Sequence, residues 1–411
     1  MKIAVVNGYS TGRVLVEVLR QRGVPRVHVQ ALPVMAEYFA RDFDATHYDA
    51  TLSGAGDPAE LAARLGGLGV TQVVAGTESG VLLADTLAHL MGLPGNRYET
   101  RTARRDKAVM GRTVAEAGLA TPLAGTFEDA DAAARWFADR DLAEAVVKPP
   151  NSAASDNVRF CRSGQEVRRA CELVLDSRNI YQERNPAVLV QERLHGVEYY
   201  ANSVSHAGVH RIAELWRYTK RTGGTGRPVY DYEEPVPLGS AEAAPLREFV
   251  PAVLDAIGVS FGAAHTEVMV TARGPVLIES GARLGGGTKP WVVEKYSGVS
   301  QTSLLADTLV DPEGLRHFDD TAVAWSSRLR NVALVNPAAG LVRSLDWTAR
   351  IEALPTLVAL AHGVRPGRVL ETTTDLVSSP GYVYLAAEDP QDVERDYRAL
   401  RAMEADGLYT R

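Results

Sequence analysis

Cysteine is scarce in this chain: Cys161 and Cys171 are the 2 present among 411 residues. Two thiols supply neither a disulfide framework nor a metal quartet, and that scarcity fits a reducing compartment. Long apolar runs are missing as well. After Lys2 the first run, Ile3 to Val6, breaks at Asn7-Gly8, which is too short for the core of a secretory signal, and no later stretch could span a bilayer. The expectation is a cytoplasmic protein. Positive charge is not in excess either: 44 basic against 51 acidic side chains give a formal net charge of -7. That balance argues against nucleic acid or an anionic membrane as the main partner. Finally, the common nucleotide-binding glycine patterns are lacking. The turn Gly8-Tyr9-Ser10-Thr11-Gly12 does not have the G-x-G-x-x-G spacing, and no G-x-x-x-x-G-K-[ST] loop occurs. An NAD-dependent dehydrogenase is disfavoured, and any ATP site must be built differently.

What is present reads as a folded, multidomain chain. Apolar residues make up 45% and charged residues 23%, and the length suggests two to three domains at about 150 residues each. The opening KIAVVNGYSTGRVLVEVLRQRG reads as strand, turn and helix, and TQVVA-GTESG-VLLADTLAHLMG repeats the unit. Residues 1–99 are therefore expected to form a doubly wound, Rossmann-like α/β domain. The pattern breaks near Gly92-Leu93-Pro94-Gly95-Asn96, after which RRDKAVMGRTVAEAG predicts a helix ending at Gly118. Strands AVVKP and AVLVQERL flank a helical stretch, so residues 100–194 read as a small α+β subdomain. Residues 195–411 read as a second, larger α+β subdomain that opens with the strand pair SVSHAGVHRIAELWRY. Thr222 to Arg227, with three glycines, predicts a mobile loop. Within 331–411, an accessory part, Asp389 and Pro390 begin a helix whose Val393, Tyr397, Leu400 and Met403 share one face. This last part reads as scaffold.

The sharpest constellation lies in GVSFGAAHTEVMVTARGPVLIESGARLGGG, two apolar strands joined by a turn near Arg273. Folding about that residue sets Glu267 opposite Glu279. Opposed residues on neighbouring strands have Cβ atoms about 4.5–5.5 Å apart, and like charges there are destabilising unless neutralised. A divalent cation would neutralise them, and Mg²⁺ favours such hard oxygen ligands. Arg283 could reach the same site to hold a phosphoryl group or a carboxylate. His265 shares the strand face of Glu267. The plainer alternative is a solvated hairpin with Arg283 as a salt-bridge partner.

Lys148 ends an apolar strand and precedes Pro149-Pro150, so its ammonium calls for an anion such as phosphate. The segment Asn151 to Asn157, with Ser152 and Ser155, offers hydroxyl and N–H groups of the kind that cradle phosphates. Lys107 could add a second cation. Gln191-Glu192-Arg193-Leu194 could present its backbone to an adenine edge, with Glu198 accepting from ribose hydroxyls.

Taken in order, Asp106-Lys107, Val147-Lys148-Pro149, Gln191 to Leu194 with Glu198, then His265-Thr266-Glu267 and Glu279 with Arg283, resemble the ATP-grasp superfamily over roughly residues 100–300. The resemblance implies two α+β subdomains clamping ATP behind the N-terminal domain. It implies that Lys107 and Lys148 contact phosphates, with Ser152 and Ser155 beside them. Glu192, Arg193 and Leu194 would form the adenine hinge, Glu198 would hold ribose, and Glu267 and Glu279 would bind one or two Mg²⁺ ions, with Mn²⁺ as an alternative. Within the superfamily, Ala75 to Gly80, Gly92 to Asn96, Arg105-Asp106-Lys107 and His265-Thr266-Glu267 look most like the L-amino-acid ligases of the bacilysin and dapdiamide synthetase type. Two departures stand out. The phosphate loop has no glycine, and Ser280-Gly281 follows Glu279 where many relatives carry an asparagine ligand.

The implied chemistry is an ATP-dependent ligation, in which a carboxylate activated as an acyl phosphate is joined to an amine. Arg283 and His265 are the catalytic candidates, and Glu78, Trp216 and Lys289 the candidate substrate contacts. Partners would be small-molecule carboxylates and amines, with a homodimer expected at family level only. A bicarbonate-dependent carboxylase and a non-catalytic ATP-binding module are the rivals.

Overall fold

The computed structural model describes residues 1–31, 43–152, 157–179, 183–222, 228–375 and 378–410. Four short strands, β1 (Ile3–Val6), β2 (Arg26–Gln30), β3 (Ala50–Ser53) and β4 (Gln72–Ala75), form a parallel sheet in the order β3-β2-β1-β4. Every residue of β1 is buried, as expected of a strand covered on both faces by crossover helices. The strand order reverses between β1 and β4, which opens a crevice beyond their carboxyl ends. The turns after these strands meet there. A Cβ on Gly12 would lie 2.6 Å from the Gly76 Cα, and one on Gly76 would lie 2.4 Å from the Asn7 carbonyl, so only glycine permits the approach. Glu78 stands on the second of these turns, between β4 and the helix Val81–Leu90.

A second four-stranded sheet follows: β5 (Ala124–Phe127), β6 (Ala145–Lys148), β7 (Arg159–Cys161) and β8 (Val188–Glu192), antiparallel in the order β5-β8-β6-β7. Helices Ala130–Asp139 and Gly164–Leu175 pack against it around Phe137, Val147, Cys171 and Val190. Asp129 and Ser163 start these helices by accepting the Ala132 and Glu166 N–H groups. Both cysteines are buried, and neither forms a disulfide among the described residues.

The remaining strands are β9 (Val197–His206), β10 (Val209–Thr222), β11 (Pro228–Pro235), β12 (Phe261–Thr271), β13 (Gly274–Gly281), β14 (Arg328–Ala333), β15 (Gly340–Leu341), β16 (Leu357–His362), β17 (Val369–Leu370) and β18 (Gly381–Ala387). Eight of them build one antiparallel sheet in the order β13-β12-β9-β10-β11-β14-β18-β16, while β15 and β17 pair separately. Ala207 and Gly208, both with positive φ, make the tight β9–β10 turn. The C-terminal strands β14, β16 and β18 thus continue the sheet that carries the carboxylates. Helix Ala244–Ala256 covers one face through Phe249, Val253 and Leu254, against Val268 and Leu277. The helix Pro390–Ala405 starts on Asp389, whose side chain accepts the Gln391 N–H, and buries Val393 and Leu400.

Candidate functional site

The β12–β13 hairpin turns at Ala272 and Arg273, where Thr271 pairs with Gly274 and Val268 with Leu277. Continued evenly, that register would set Ile278 opposite Glu267 and send Glu279 to the other face. An irregularity at this point leaves Ile278 unpaired, so Glu267 pairs with Glu279 and Thr266 with Ser280. The extra residue is a β-bulge, a common device for re-aiming side chains beside active sites. Thr266 and Ser280 hydroxyls meet at 2.8 Å on the buried side, and both carboxylates stay on the opposite face.

Two lysines close on this rung. Asp106 caps the helix Lys107–Glu116 by accepting the Ala108 and Val109 N–H groups, which makes Lys107 its first residue. Lys107 Nζ lies 3.2 Å from Glu279 Oε2 and donates to the Ser152 carbonyl at 2.5 Å. Burial opposes ionisation of Glu279, but Lys107 and Lys148, with Arg283 beyond them, outweigh it and hold the carboxyl down at about 2. Lys148, at the end of β6, is 7% exposed. Burial pulls its ammonium down to about 8, against the attraction of Glu279, Glu267 and Glu198. Ser152 is buried beside Lys107; Ser155 lies outside the described residues, as does most of the expected loop Thr222 to Arg227.

At the end of β8 the backbone is largely committed. Glu192 donates its N–H to Leu123 at 2.8 Å and Arg193 to Glu144 at 3.2 Å, so Leu194 offers the first N–H with no acceptor among the described residues. The Glu192 carboxylate accepts from Arg273 at 2.7 Å and the Leu123 N–H at 3.1 Å, which aims it at the hairpin turn. Gly196 lets this segment press on β12, because a Cβ there would sit 2.1 Å from the Val270 carbonyl. Glu198 is buried and bound by Lys220 Nζ at 2.6 Å. Burial raises its pKa, Lys220 opposes, and Glu267 adds to the rise. Lys220 escaped sequence reading because nothing marks a lysine near a strand end as the mate of a glutamate on the neighbouring strand.

The N-terminal domain reaches the same place. Arg283 Nε lies 3.2 Å from Glu78 Oε2, and Arg105 Nη1 is 4.0 Å from Glu78 Oε1. A Cβ on Gly281 would come 2.6 Å from Glu78 Oε2, so this glycine makes room for the carboxylate.

Beneath His265 lies a polar chain that sequence reading missed. His265 Nδ1 is 2.7 Å from Asn202 Oδ1, and Asn202 Nδ2 donates to Glu214 Oε2 at 3.2 Å. Glu214, 3% exposed, also accepts from Trp216 Nε1 at 3.0 Å and the Gln301 N–H at 2.7 Å. With Asn202 Nδ2 turned to a carboxylate, its Oδ1 must accept, so His265 Nδ1 carries the proton and Nε2 faces Glu267 at 3.5 Å. The available signal was a carboxylate inside the apolar run Ile212-Ala213-Glu214-Leu215-Trp216.

The two other candidate substrate contacts differ from each other. Trp216 has no exposed surface; it packs with Tyr200, Val292 and Leu329 and sets its ring edge on Trp325, so it presents no wall to a ligand. Lys289 is the N-cap residue of the helix Pro290–Ser297, half-buried, with no ion pair among the described residues.

The donor set on the rung suits a hard cation. Mg²⁺ typically takes one or two protein carboxylates and fills its shell with water and phosphate oxygens. Among the described residues no group of three or more His, Cys, Asp or Glu converges on one point, so the protein supplies only part of such a shell. No helix among them is long and apolar enough to cross a membrane.

Residues 143–290 match the ATP-grasp domain model. Dapdiamide A synthase of Enterobacter agglomerans is 29% identical over 98% of this chain and 96% of its own length. The crystal structure of an L-amino acid ligase from Bacillus licheniformis superposes with a TM-score of 0.74 at 17% identity, over 98% of this chain and 97% of that one. A carboxyaminoimidazole ribonucleotide synthase from Aspergillus clavatus, complexed with ATP, superposes with a TM-score of 0.72 at 13% identity, over 99% and 98%. ATP and divalent metals are what enzymes of this kind use. Residues 143–290 thus carry an ATP-grasp domain, and the chain is an ATP-dependent ligase that joins a carboxylate to an amine.

Proposed function

We propose that the enzyme activates the carboxylate of one amino acid as an acyl phosphate and joins it to the amine of a second, releasing ADP and phosphate. The observation that carries this reading is the paired carboxylate rung Glu267–Glu279 flanked by Lys107 and Lys148, with Arg283 held by Glu78 at its edge. Glu267 and Glu279 would hold one or two Mg²⁺ ions, which when bound would neutralise charge on the phosphates. Lys107 and Lys148 would bind phosphate oxygens, and the loss of Lys107 from Glu279 on nucleotide binding would free that carboxylate for the metal. The Leu194 N–H would meet the adenine edge, and Glu198 the ribose.

Arg283 would hold the carboxylate oxygen in line with the γ-phosphate. The oxygen attacks phosphorus, ADP leaves, and the amine then attacks the acyl carbon while phosphate departs with the bonding pair. His265, with Nδ1–H fixed by Asn202, presents Nε2 toward the side from which an amine would approach. Burial of Lys148 and the Glu198–Lys220 pair keeps this chamber poor in water, which protects an acyl phosphate from hydrolysis. The test is a matrix of carboxylate and amine pairs with ATP and Mg²⁺, scored by phosphate release and product mass. Amino-acid pairs should give dipeptide masses with one phosphate each; phosphate release that depends on bicarbonate and yields no dipeptide would reject the reading.

A further inference from the structure

The C-terminal strands hold a loop of the site. Asn331 on β14 and Tyr384 on β18 face each other across adjacent strands and are 1% and 0% exposed. Tyr384 Oη donates to the Gly287 carbonyl at 2.8 Å and accepts the Lys289 N–H at 2.9 Å. Asn331 Nδ2 adds a second donor to the Gly287 carbonyl at 3.3 Å. One hydroxyl therefore bridges a carbonyl and an N–H two residues apart, as a turn would. It satisfies the N–H of Lys289, the N-cap residue of helix Pro290–Ser297, whose own side chain makes no capping bond. Gly287 has φ +85°, a conformation that a side chain would strain.

The same buried groups lead back to the carboxylates. Asn331 Nδ2 is 3.3 Å from Glu233 Oε2, which accepts from Tyr200 Oη at 2.7 Å, and Tyr200 pairs with Glu267 across β9 and β12. At its other end the loop starts on Gly285, where a Cβ would lie 2.3 Å from Asn202 Oδ1, the atom that holds His265. The segment is thus fixed at both ends, on Asn202 at Gly285 and on the C-terminal strands at Gly287 and Lys289. Its exposed part is Gly286 and Gly287, and it ends at Lys289, half-buried and in no ion pair among the described residues. A cation anchored by its own backbone beside a chamber rich in carboxylates suits an anion that arrives with the substrate.

We propose that Tyr384 and Asn331 are positioning residues that hold the loop 286–289 so that Lys289 receives the free carboxylate of the amine-donating amino acid. This rests on the ligase reading above, and it makes the C-terminal strands part of substrate recognition. Two measurements on the full chain decide it. The first needs no substrate: in hydrogen exchange, Tyr384→Phe should accelerate exchange of the Lys289 amide at least tenfold, with the β12–β13 amides unchanged. Unaltered exchange overturns the positioning role, whatever the enzyme ligates. The second uses a ligated amino acid and the matching amine that lacks the carboxylate. Tyr384→Phe and Lys289→Met should each raise KM for the amino acid roughly tenfold, with KM for ATP within about twofold. KM for the carboxylate-free amine should not move. Equal shifts for both amines, or none, would overturn the assignment of Lys289. If no amino-acid pair is ligated, the ligase reading fails instead, and the exchange result still stands on its own.

Discussion

Glu279 stands opposite Glu267 because Ile278 is left out of the ladder between them and the turn. The carboxylate pair is thus a property of the bulge as much as of the two glutamates. An even register that kept Ile278 would set it opposite Glu267 and turn Glu279 away, so the extra residue is what lets this sequence pair the two glutamates. Glu279→Gln should cut ADP formation by at least about a hundredfold, the scale of losing one preorganised electrostatic group. Substrate-dependent ADP release near the normal rate in that variant would sink the assignment of the rung.

The pairing itself was legible in the sequence, since counting about Arg273 sets the two glutamates opposite each other. The reason was not. The turn is centred between Ala272 and Arg273, and the count succeeds only because the bulge adds one residue to β13. Local signals were read well: Asp389-Pro390 does start the last helix, and Ala145 to Lys148 does end in a buried lysine. What stayed hidden depends on partners distant along the chain. Glu198–Lys220, Asn202–Glu214 and the grip of Tyr384 on Gly287 each join elements whose neighbourhood is set by an eight-stranded order that no short pattern encodes.

The contact between Glu78 and Arg283 ties the N-terminal switch-point turn to the exit of the carboxylate hairpin. Glu78→Gln keeps the shape but removes the charge that orients the guanidinium fork. It should raise KM for the carboxylate substrate by about tenfold, the effect of losing a charge-assisted hydrogen bond, with KM for ATP little changed. Steady-state kinetics with each substrate varied in turn would check it. A rise in KM for ATP alone would place Arg283 on the nucleotide instead.

Glu214 accepts from three N–H donors, on Trp216, Asn202 and Gln301. Burial raises its pKa while those hydrogen bonds pull the other way. A glutamine there must turn its own NH₂ toward at least one of the donors. Glu214→Gln should cost about 1–3 kcal/mol of stability, the range for a buried unsatisfied donor. It should also lower kcat, because Asn202 would be free to turn and His265 would lose its fixed tautomer. A glutamine variant that melts with the wild-type enzyme and turns over normally would show the chain to be without consequence.

Glu233 lies under the sheet face with Tyr200 and Asn331 donating to it. Burial pushes its carboxyl up to about 7; the two donors oppose the rise, while Glu267 and Glu214 add to it. In the unfolded chain the same carboxyl titrates near its ordinary value of 4.5. Between these two values the folded protein binds the proton more tightly than the unfolded chain, so stability is greatest below 4.5 and declines as pH rises through about 7. Other groups superimpose their own slopes, which makes the difference between variants the useful quantity. Glu233→Gln carries no titrating proton, keeps an oxygen for Tyr200 and should flatten the decline. From pH 5 to pH 8 its melting temperature should fall less than that of the wild type, by a margin on the order of 3 kcal/mol in stability at most. Parallel melting curves for the two proteins across that range would mean that Glu233 is already ionised at pH 5 and that the Tyr200–Glu233–Asn331 line carries a fixed charge.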